Sequence, residues 1–425
     1  MSKHTIKTVV TSMTGIVFEW YDYALFGYFA PIIGKLFFPS EDKMTEIIAA
    51  FGAYAAGFFM RPLGGIIFGQ MGDRLGRKKA LVITIMLMAI PTTLIGVIPT
   101  YESIGVLASI FLVIVRMLQG VSIGGNYGGG ITFITEHTSP EKRGLMGGFS
   151  VTGCLTGILL GSATAALFSF LLTEQQLYDW GWRIPFVVGI GVCFVGLYMR
   201  AKVPESPEFE SEASIGHIEQ SPVREVFTTH RSSLISMVFT TMLHDISFYV
   251  LFVYMTTYLT AVLDIPKDTA FTINTLNLVA VIAMTLGAAW LSDKWGRKKV
   301  LMLSSALFII GTYPLFVLLN TQDPISIVLA QLLFAVAVGG YFGPLPALFV
   351  EAFPTNIRYT AISITVSISG PVFGGTAPFI VSTLIDWTGS NYVPAFYLIG
   401  GAMLSLTAVS RLKLKGITEG NKLAA

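Results

Sequence analysis

Charged residues are scarce in this sequence. Of its 425 residues, only 12% are Asp, Glu, Lys or Arg. That share is about half of what a soluble globular protein carries. Hydrophobic residues make up 53% of the chain, so its apolar side chains cannot be covered by a polar surface. The composition excludes an array of soluble domains and predicts an all-α polytopic membrane protein.

Cysteine is also scarce. The two cysteines, Cys154 and Cys193, lie inside apolar runs, where they are small packing residues rather than members of a disulfide framework. No residue spacing suggests a metal site, and we expect neither a metal nor a cofactor. The net charge of +2 indicates no nucleic-acid partner. The lipid bilayer is the partner that this composition requires.

Twelve apolar runs are long enough to cross a bilayer as helices. They lie at about 9–34, 46–71, 80–98, 104–136, 143–172, 184–201, 233–262, 269–292, 300–318, 325–351, 358–386 and 392–411. One long polar gap divides them. The sequence therefore predicts an N-terminal six-helix bundle at 1–201, a cytoplasmic linker at 202–232, a C-terminal six-helix bundle at 233–411 and a short cytoplasmic tail at 412–425.

The basic residues fix the expected orientation. Most of the 27 Lys and Arg residues fall in the loops and tails on the same side as the N-terminus. Because positively charged loops stay in the cytoplasm, we expect both termini there.

The two halves of the chain match each other, which indicates an internal duplication. The loop 69–79 (GQMGDRLGRKK) recurs at 292–299 (SDKWGRKK). Glu136 and Arg143 match Glu351 and Arg358 at one constant offset. Tyr23, Leu25, Phe26 and Tyr28 match Tyr249, Leu251, Phe252 and Tyr254 at another. The expected fold is two pseudo-symmetric six-helix halves.

This duplicated unit with a GxxxDRxGRKK loop after its second helix resembles the major facilitator superfamily. Four further segments resemble its metabolite:proton symporter family: FEWYD at 18–22, FFMRPLGG at 58–65, RMLQGVSIGG at 116–125 and FPTNIR at 353–358. The resemblance implies a transporter of the bacterial cytoplasmic membrane that takes up dicarboxylates, citrate, shikimate, proline or betaine by alternating access. It implies no enzymatic activity.

Four ionisable residues are predicted at one depth near the bilayer midplane. Counting about 1.5 Å of rise per residue from the helix ends places Glu19, Asp22, Asp245 and Arg116 roughly 15–20 Å inside the membrane. A charged side chain there is costly, so each retained charge suggests a function or a partner. The duplication pairs Glu19 with Asp245 and Arg116 with Gln331.

These positions define the candidate transport site. We interpret Arg116 as the group that holds a substrate carboxylate, or a carboxylate of the first helix when substrate is absent. The alternative is a permanent structural ion pair. Glu19, Asp22 and Asp245 are candidate proton carriers. The remaining substrate-binding candidates share helical faces with these residues: Gln119, Tyr23, Phe26, Tyr127, Tyr249 and Gln331. The aromatic members either cage a quaternary ammonium or only pack helices.

Two residues qualify this assignment. The resembled family commonly has Gly-Gly-Glu where this chain has Gly124, Gly125 and Asn126. Asn126 cannot carry a proton, so any coupling role of that Glu is absent here or taken over by Asp245. His244 is adjacent to Asp245, and because neighbouring helical residues diverge by about 100°, we expect it to face another helix or lipid.

The resemblance implies that ionic contacts of the cytoplasmic loops hold the cytoplasmic side closed. The gating candidates are Asp73, Arg74, Arg77, Glu136, Arg143, Asp293, Arg297, Glu351 and Arg358. Arg61, which precedes Pro62, is expected in the same layer. The alternative is that these residues only anchor the topology.

The predicted function is proton-coupled symport of a small anionic or zwitterionic metabolite by a monomer. The alternatives are an uncoupled facilitator or exporter, and a transport-derived sensor that binds its ligand without moving it.

Overall fold

The computed structural model describes residues 3–412, so the predicted tail lies outside the described residues except for Leu412. The described chain consists of helices and connecting turns. Eleven of its helices are long and apolar enough to cross a membrane. A twelfth, α1 (Lys3–Tyr28), is not among the eleven; it carries the polar residues Glu19 and Asp22 and continues into a short helix, Ala30–Phe37.

The twelve long helices correspond to the twelve predicted runs. After α1 they are α2 (Lys43–Leu75), α3 (Arg77–Val97), α4 (Val106–Glu136), α5 (Arg143–Leu171), α6 (Glu174–Met199), α7 (Arg231–Val262), α8 (Lys267–Trp295), α9 (Arg297–Leu319), α10 (Pro324–Ala352), α11 (Thr355–Thr388) and α12 (Val393–Arg411). Most helices extend beyond the apolar runs because polar residues continue them at the membrane surface.

The described residues form two compact units. Unit 1 contains Met1–His137, Gly153–Val223 and Thr355–Ile364, and unit 2 contains Thr138–Thr152, Arg224–Pro354 and Thr365–Ala425, in both cases within the described range. Each unit therefore combines most of one predicted half with a short segment from the other half.

Close backbone packing joins α2 to α4 in unit 1. A Cβ atom on Gly120 would lie 1.9 Å from the carbonyl oxygen of Gly57, and one on Gly124 would lie 2.0 Å from the carbonyl oxygen of Arg61. Only glycine permits this approach, which is the usual way in which membrane helices pack tightly. The glycine-rich stretch of α4 thus serves helix packing, and it brings Arg116 and Asn126 close to α1.

The same device occurs in unit 2, between α8 and α10. A Cβ atom on Gly343 would lie 2.5 Å from the carbonyl oxygen of Thr285. The α3/α4 and α9/α10 contacts also correspond, since Ser122 donates to the carbonyl of Thr84 and Ser304 donates to that of Ala337. The sequence duplication is therefore matched by duplicated contacts.

Wider π-helical turns interrupt the helices of unit 2 at defined places. They occupy Tyr249–Tyr254 and Tyr258–Val262 in α7, and Gly370–Gly375 in α11. Such turns are rare and are often found at functional sites. Both helices that carry them border the predicted midplane residue Asp245.

The predicted linker contains two short helices, Pro207–Ser214 and Pro222–Thr228. Ser206 is the N-cap of the first one, since its hydroxyl accepts the N–H of Phe209 at 3.2 Å. This cap satisfies one of the free N–H groups at the start of the helix.

Candidate functional site

A buried ion pair joins α1 to α4 in unit 1. Nη1 of Arg116 lies 2.7 Å from Oδ2 of Asp22. Gln119, one turn further along α4, donates from Nε2 to the same carboxylate oxygen at 3.1 Å and to the hydroxyl of Thr92 at 2.8 Å, and it accepts from Nη1 of Arg116. The amide therefore holds both charged groups in place.

This ion pair is buried, and its hydrogen bonding is incomplete. Asp22 and Arg116 are 1% and 2% exposed. Within the described residues, Oδ1 of Asp22 and Nη2 of Arg116 have no hydrogen-bond partner. A buried group that lacks a partner costs about 1–3 kcal/mol, more if charged. The ion pair therefore has one acceptor atom and one donor atom that no described residue satisfies.

Glu19 has different surroundings, although it lies on the same face of α1. Its Oε2 accepts a hydrogen bond of 2.6 Å from Nδ2 of Asn126, whose Oδ1 accepts from the hydroxyl of Thr84 at 3.2 Å. Its Oε1 is buried and has no hydrogen-bond partner among residues 3–412. Asn126 thus serves as a hydrogen-bond donor to a carboxyl group of α1, a role that the sequence did not reveal.

Arg61 lies in the same region, and the expectation that it belongs to the cytoplasmic layer is wrong. Its guanidinium carbon lies 4.1 Å from the ring centroid of Phe58 and 5.1 Å from that of Tyr23. It also acts electrostatically on Glu19. Because α2 continues past Pro62 to Leu75, Arg61 lies within the helix and its side chain faces α1.

The aromatic residues around these charges form one cluster in unit 1. Tyr54 lies 5.1 Å from Tyr23 and 5.9 Å from Phe26, measured between ring centroids. Arg116 lies 3.7 Å from the centroid of Phe26. Because the two arginines already occupy ring faces, these rings stabilise the protein's own cations. Tyr54 and Phe58 were not predicted, since the sequence offers no signal that separates them from other packing aromatics.

The other substrate-binding candidates each have a different partner within their own unit. Tyr127 forms a side-chain hydrogen bond with Cys154 of α5. Tyr249 packs against Gly374 of α11 in unit 2. Gln331, also in unit 2, accepts a hydrogen bond of 2.6 Å from Nδ2 of Asn277. Of the predicted set, the structure brings Gln119, Tyr23 and Phe26 together with Arg116.

Asp245 is held by two neighbours in unit 2. Its Oδ1 lies 3.1 Å from Nδ1 of His244, and its Oδ2 accepts from the hydroxyl of Ser369 at 2.5 Å. The imidazole of His244 packs at a tilted angle against the ring of Phe342 of α10, as expected for a residue that faces another helix. It also contacts Asp245, so the two neighbouring side chains meet although they leave the helix in different directions.

The cytoplasmic candidates of unit 1 form a continuous network. Arg77 lies 3.3 Å from Asp73 and 3.2 Å from Glu136, and Arg358 lies 2.7 Å from Glu136. Asp73 also accepts the backbone N–H groups at the start of α11, from residues Tyr359 and Thr360, at 3.1 and 2.8 Å. Asp73 therefore caps a helix as well as pairing with a cation.

The linker extends this network. The carboxylate of Glu205 accepts the backbone N–H of Lys78 at 3.0 Å, and Ser206 donates to Glu136. Glu208 lies 2.5 Å from Arg358. The sequence indicated only an acidic linker here, because a run of acids and prolines is typical of linkers.

Unit 2 repeats the arrangement without the linker residues. Arg297 lies 2.7 Å from Asp293 and 3.2 Å from Glu351. Asp293 accepts the N–H groups of Gly144 and Leu145 at the start of α5, at 2.8 and 2.9 Å.

The last two gating candidates lie beside these networks. Arg143 acts electrostatically on Glu351. Arg74 is exposed next to the unit 1 network.

Comparison with known protein families accounts for nearly the whole chain. A family model described as "Sugar (and other) transporter" matches residues 7–221, and one described as "Major Facilitator Superfamily" matches residues 237–422.

Curated relatives match over almost the same length. The chain is 33% identical to the proline/betaine transporter of Escherichia coli strain K12, with 97% of this chain and 85% of the relative covered. It is also 33% identical to the glycine betaine/proline/ectoine/pipecolic acid transporter of Dickeya dadantii, with 94% and 81% covered.

Solved structures share the fold. The proton:xylose symporter XylE of Escherichia coli, bound to 6-bromo-6-deoxy-D-glucose, aligns with a TM-score of 0.79 at 18% identity over 96% of this chain and 94% of the other. The human organic anion transporter MFSD10 aligns with a TM-score of 0.67 at 13% identity over 96% and 100%. These likenesses confirm the fold class predicted from the sequence.

Proposed function

The chain belongs to the major facilitator superfamily of membrane transporters, and from that premise we propose that it carries a small carboxylate-bearing metabolite together with a proton. It is an integral membrane transporter of a small molecule and not an enzyme. The proposal concerns what is carried and which residues carry it.

One observation supports the proposal most strongly: the two carboxyl groups of α1 have different partners. Asp22 pairs with Arg116 at 2.7 Å, whereas Glu19 accepts from the neutral amide of Asn126. A carboxylate paired with arginine holds its negative charge. Arg61 also acts electrostatically on Glu19, but a carboxyl group that accepts from a neutral amide loses less on protonation than one that accepts from arginine. We therefore assign the cation site to Arg116 and proton coupling to Glu19.

A substrate carboxylate would bind where the ion pair is unsaturated. In the described part of the chain, Nη2 of Arg116 is buried and has no acceptor. Guanidinium groups bind carboxylates through two parallel hydrogen bonds. An incoming carboxylate would engage Arg116 and release Asp22. The released Asp22 would then be available to a positive group of the same substrate.

This exchange favours a zwitterion over a dianion. A zwitterion brings one negative and one positive group, so the buried site keeps its net charge when the internal pair opens. Relatives at 33% identity are named as transporters of proline, betaine, ectoine and pipecolic acid, all of which are compact molecules with a carboxylate. We propose a proline- or betaine-like substrate, and a monocarboxylate as the second candidate.

The cytoplasmic networks are proposed to gate the transport path by alternating access. In unit 1, breaking the network would release the start of α11 from Asp73 and Arg358 from Glu136. Breaking its counterpart in unit 2 would release the start of α5 from Asp293. Buried ion pairs of this kind contribute more to the choice between conformations than to the free energy of unfolding.

Three further expectations complete the proposal: a monomer, the bacterial cytoplasmic membrane, and both termini in the cytoplasm. The relatives come from bacteria. Protease access to a tag on each terminus in right-side-out vesicles would test the orientation.

The direct test uses purified protein in liposomes that contain a pH-sensitive dye. Proline, betaine, succinate, 2-oxoglutarate, citrate and shikimate are added outside in turn, and radiolabelled uptake is measured in parallel. We expect internal acidification and uptake together with proline or betaine. The matched Glu19→Gln variant is expected to bind substrate without acidification.

Each alternative gives a different result. Uptake without a pH change would favour an uncoupled facilitator. Saturable binding without uptake would favour a sensor. Uptake restricted to succinate or citrate would contradict the zwitterion assignment.

A further inference from the structure

His244, Asp245 and Ser369 form a polar cluster where α7 meets α11 in unit 2. Nδ1 of His244 lies 3.1 Å from Oδ1 of Asp245, and the hydroxyl of Ser369 donates to Oδ2 at 2.5 Å. The two oxygens of one carboxylate are thus held by two different helices, the histidine side on α7 and the serine side on α11.

The histidine and the carboxylate share a secluded environment. Their side chains are 14% and 13% exposed, and the imidazole ring lies 4.2 Å from the ring of Phe342, measured between centroids. With one proton between them the pair is neutral, and without it the pair is negative. An imidazole ordinarily changes charge between about pH 5 and 8, and a carboxylate within hydrogen-bond distance is coupled to it, so a proton bound here belongs to the pair.

The cluster lies where both helices are irregular. The N–H of Tyr249, the first residue of a π-helical turn in α7, bonds to the carbonyl of Asp245. Ser369 directly precedes the π-helical turn Gly370–Gly375 of α11. The helices also approach closely here, since a Cβ atom on Gly374 would lie 2.6 Å from the Tyr249 ring. A change of charge on Asp245 therefore acts at the contact between two helices that are both irregular there.

Polar side chains of α10, α11 and α12 lie near His244 and Asp245. Tyr341 of α10 is a titratable side chain that interacts electrostatically with Asp245. From α12, the hydroxyl of Ser405 accepts the N–H of Leu243. From α11 the group is the hydroxyl of Ser369.

We propose that His244 and Asp245 together bind one proton, and that Ser369 transmits the charge of this pair to the contact between α7 and α11. The transporter then has a second proton-binding site, separate from Glu19, which sets the pH dependence of its conformational change. This inference rests on the proposed function for its readout in transport.

The first test measures the pH profile of substrate exchange in liposomes between pH 5.5 and 8.5. His244→Gln keeps a polar side chain of similar size but cannot be protonated. We expect the ratio of exchange at pH 6 to that at pH 8 to change at least about threefold, as loss of a titrating group in this range requires. Asp245→Asn is expected to change it likewise, and Ser369→Ala to shift the profile.

His217→Gln is the matched control. It makes the same substitution in the linker, at a side chain that is 69% exposed. It is expected to leave the profile unchanged. A uniform loss of exchange at all pH values in the His244→Gln protein would show a structural role and overturn the proposal.

A second measurement does not depend on transport. Imidazole NMR signals of the full chain in nanodiscs are followed against pH, and the His244 signal is identified by its absence in His244→Gln. We expect its titration midpoint to change in Asp245→Asn. An unchanged midpoint overturns the shared proton. If the wild-type protein moves no solute but the midpoint changes, the proposed function fails while the proton-binding pair stands.

Discussion

At the scale of single residues, the choice of partner decides what each buried carboxyl group can do. Asp22 and Glu19 lie one turn apart on the same face of α1, and the sequence predicted both at the depth of Arg116. The sequence could not predict which carboxylate pairs with Arg116, because both are predicted at a similar depth in the membrane. α1 and α4 run in opposite directions, so Asp22 meets the earlier residue Arg116 and Glu19 meets the later residue Asn126.

The role of Arg116 is tested by removing its charge together with that of its partner. Arg116→Ala alone leaves Asp22 buried and unpaired, which costs about 3–5 kcal/mol and confuses folding with function. The double variant Asp22→Asn, Arg116→Gln keeps polar side chains and no net charge. We expect it to keep a melting temperature within a few degrees of the wild type, and to lose uptake by at least about 100-fold, as loss of a charged hydrogen-bonding anchor does.

The permanent structural pair makes the opposite prediction for this double variant. If Arg116 only neutralises Asp22, the neutral pair restores uptake to near the wild-type rate. Uptake above one tenth of that rate would therefore sink the substrate-binding role.

At the scale of helices, the sequence predicted the elements better than their partners. The apolar runs gave twelve helices, because a membrane-spanning segment must satisfy its own backbone hydrogen bonds. The sequence shows the run of glycines in α4, but not that α2 is the helix against which they pack. Likewise, the acidic residue of each repeated loop was expected to pair with a cation, and the structure shows that Asp73 and Asp293 also cap other helices.

The α2/α4 contact is tested by adding one methyl group. In Gly120→Ala the new Cβ would lie 1.9 Å from the carbonyl oxygen of Gly57, a backbone atom that cannot rotate away. We expect a loss of about 1–3 kcal/mol, measured as a lower melting temperature in detergent. Gly52→Ala on α2 is the control, since its Cβ would meet nothing within 4 Å. Equal stability of the two variants would contradict the packing described.

The caps of the repeated loops are tested by hydrogen exchange. Asp73→Ala removes the acceptor for the N–H groups of Tyr359 and Thr360, at a cost of about 0.5–2 kcal/mol. We expect faster exchange in the peptide that covers 355–364, with little change at 140–150. Asp293→Ala is the reciprocal control, because it uncaps Gly144 and Leu145. Its effect should appear at 140–150, and the same response from both variants would show that the two networks are not separate.

At the scale of the whole molecule, the duplication made the fold predictable from the sequence. The features in which the two halves differ could not be predicted in this way. The loops, glycines and acids recur in both halves, so one six-helix unit explained the other. The linker belongs to neither copy. The contacts of Glu205, Ser206 and Glu208 with the unit 1 network have no counterpart from which to infer them. The functional asymmetry is of the same kind, since Arg116 is charged and its counterpart Gln331 is neutral.

Proton coupling is the central claim, and an imposed pH gradient tests it most directly. Liposomes with an interior at pH 7.5 are diluted into medium at pH 6, with the solute that causes acidification in the dye assay. We predict that the wild-type protein accumulates this solute above its outside concentration, and that Glu19→Gln only equilibrates it. Accumulation by Glu19→Gln to the wild-type level, or wild-type uptake that does not respond to the gradient, would contradict the account.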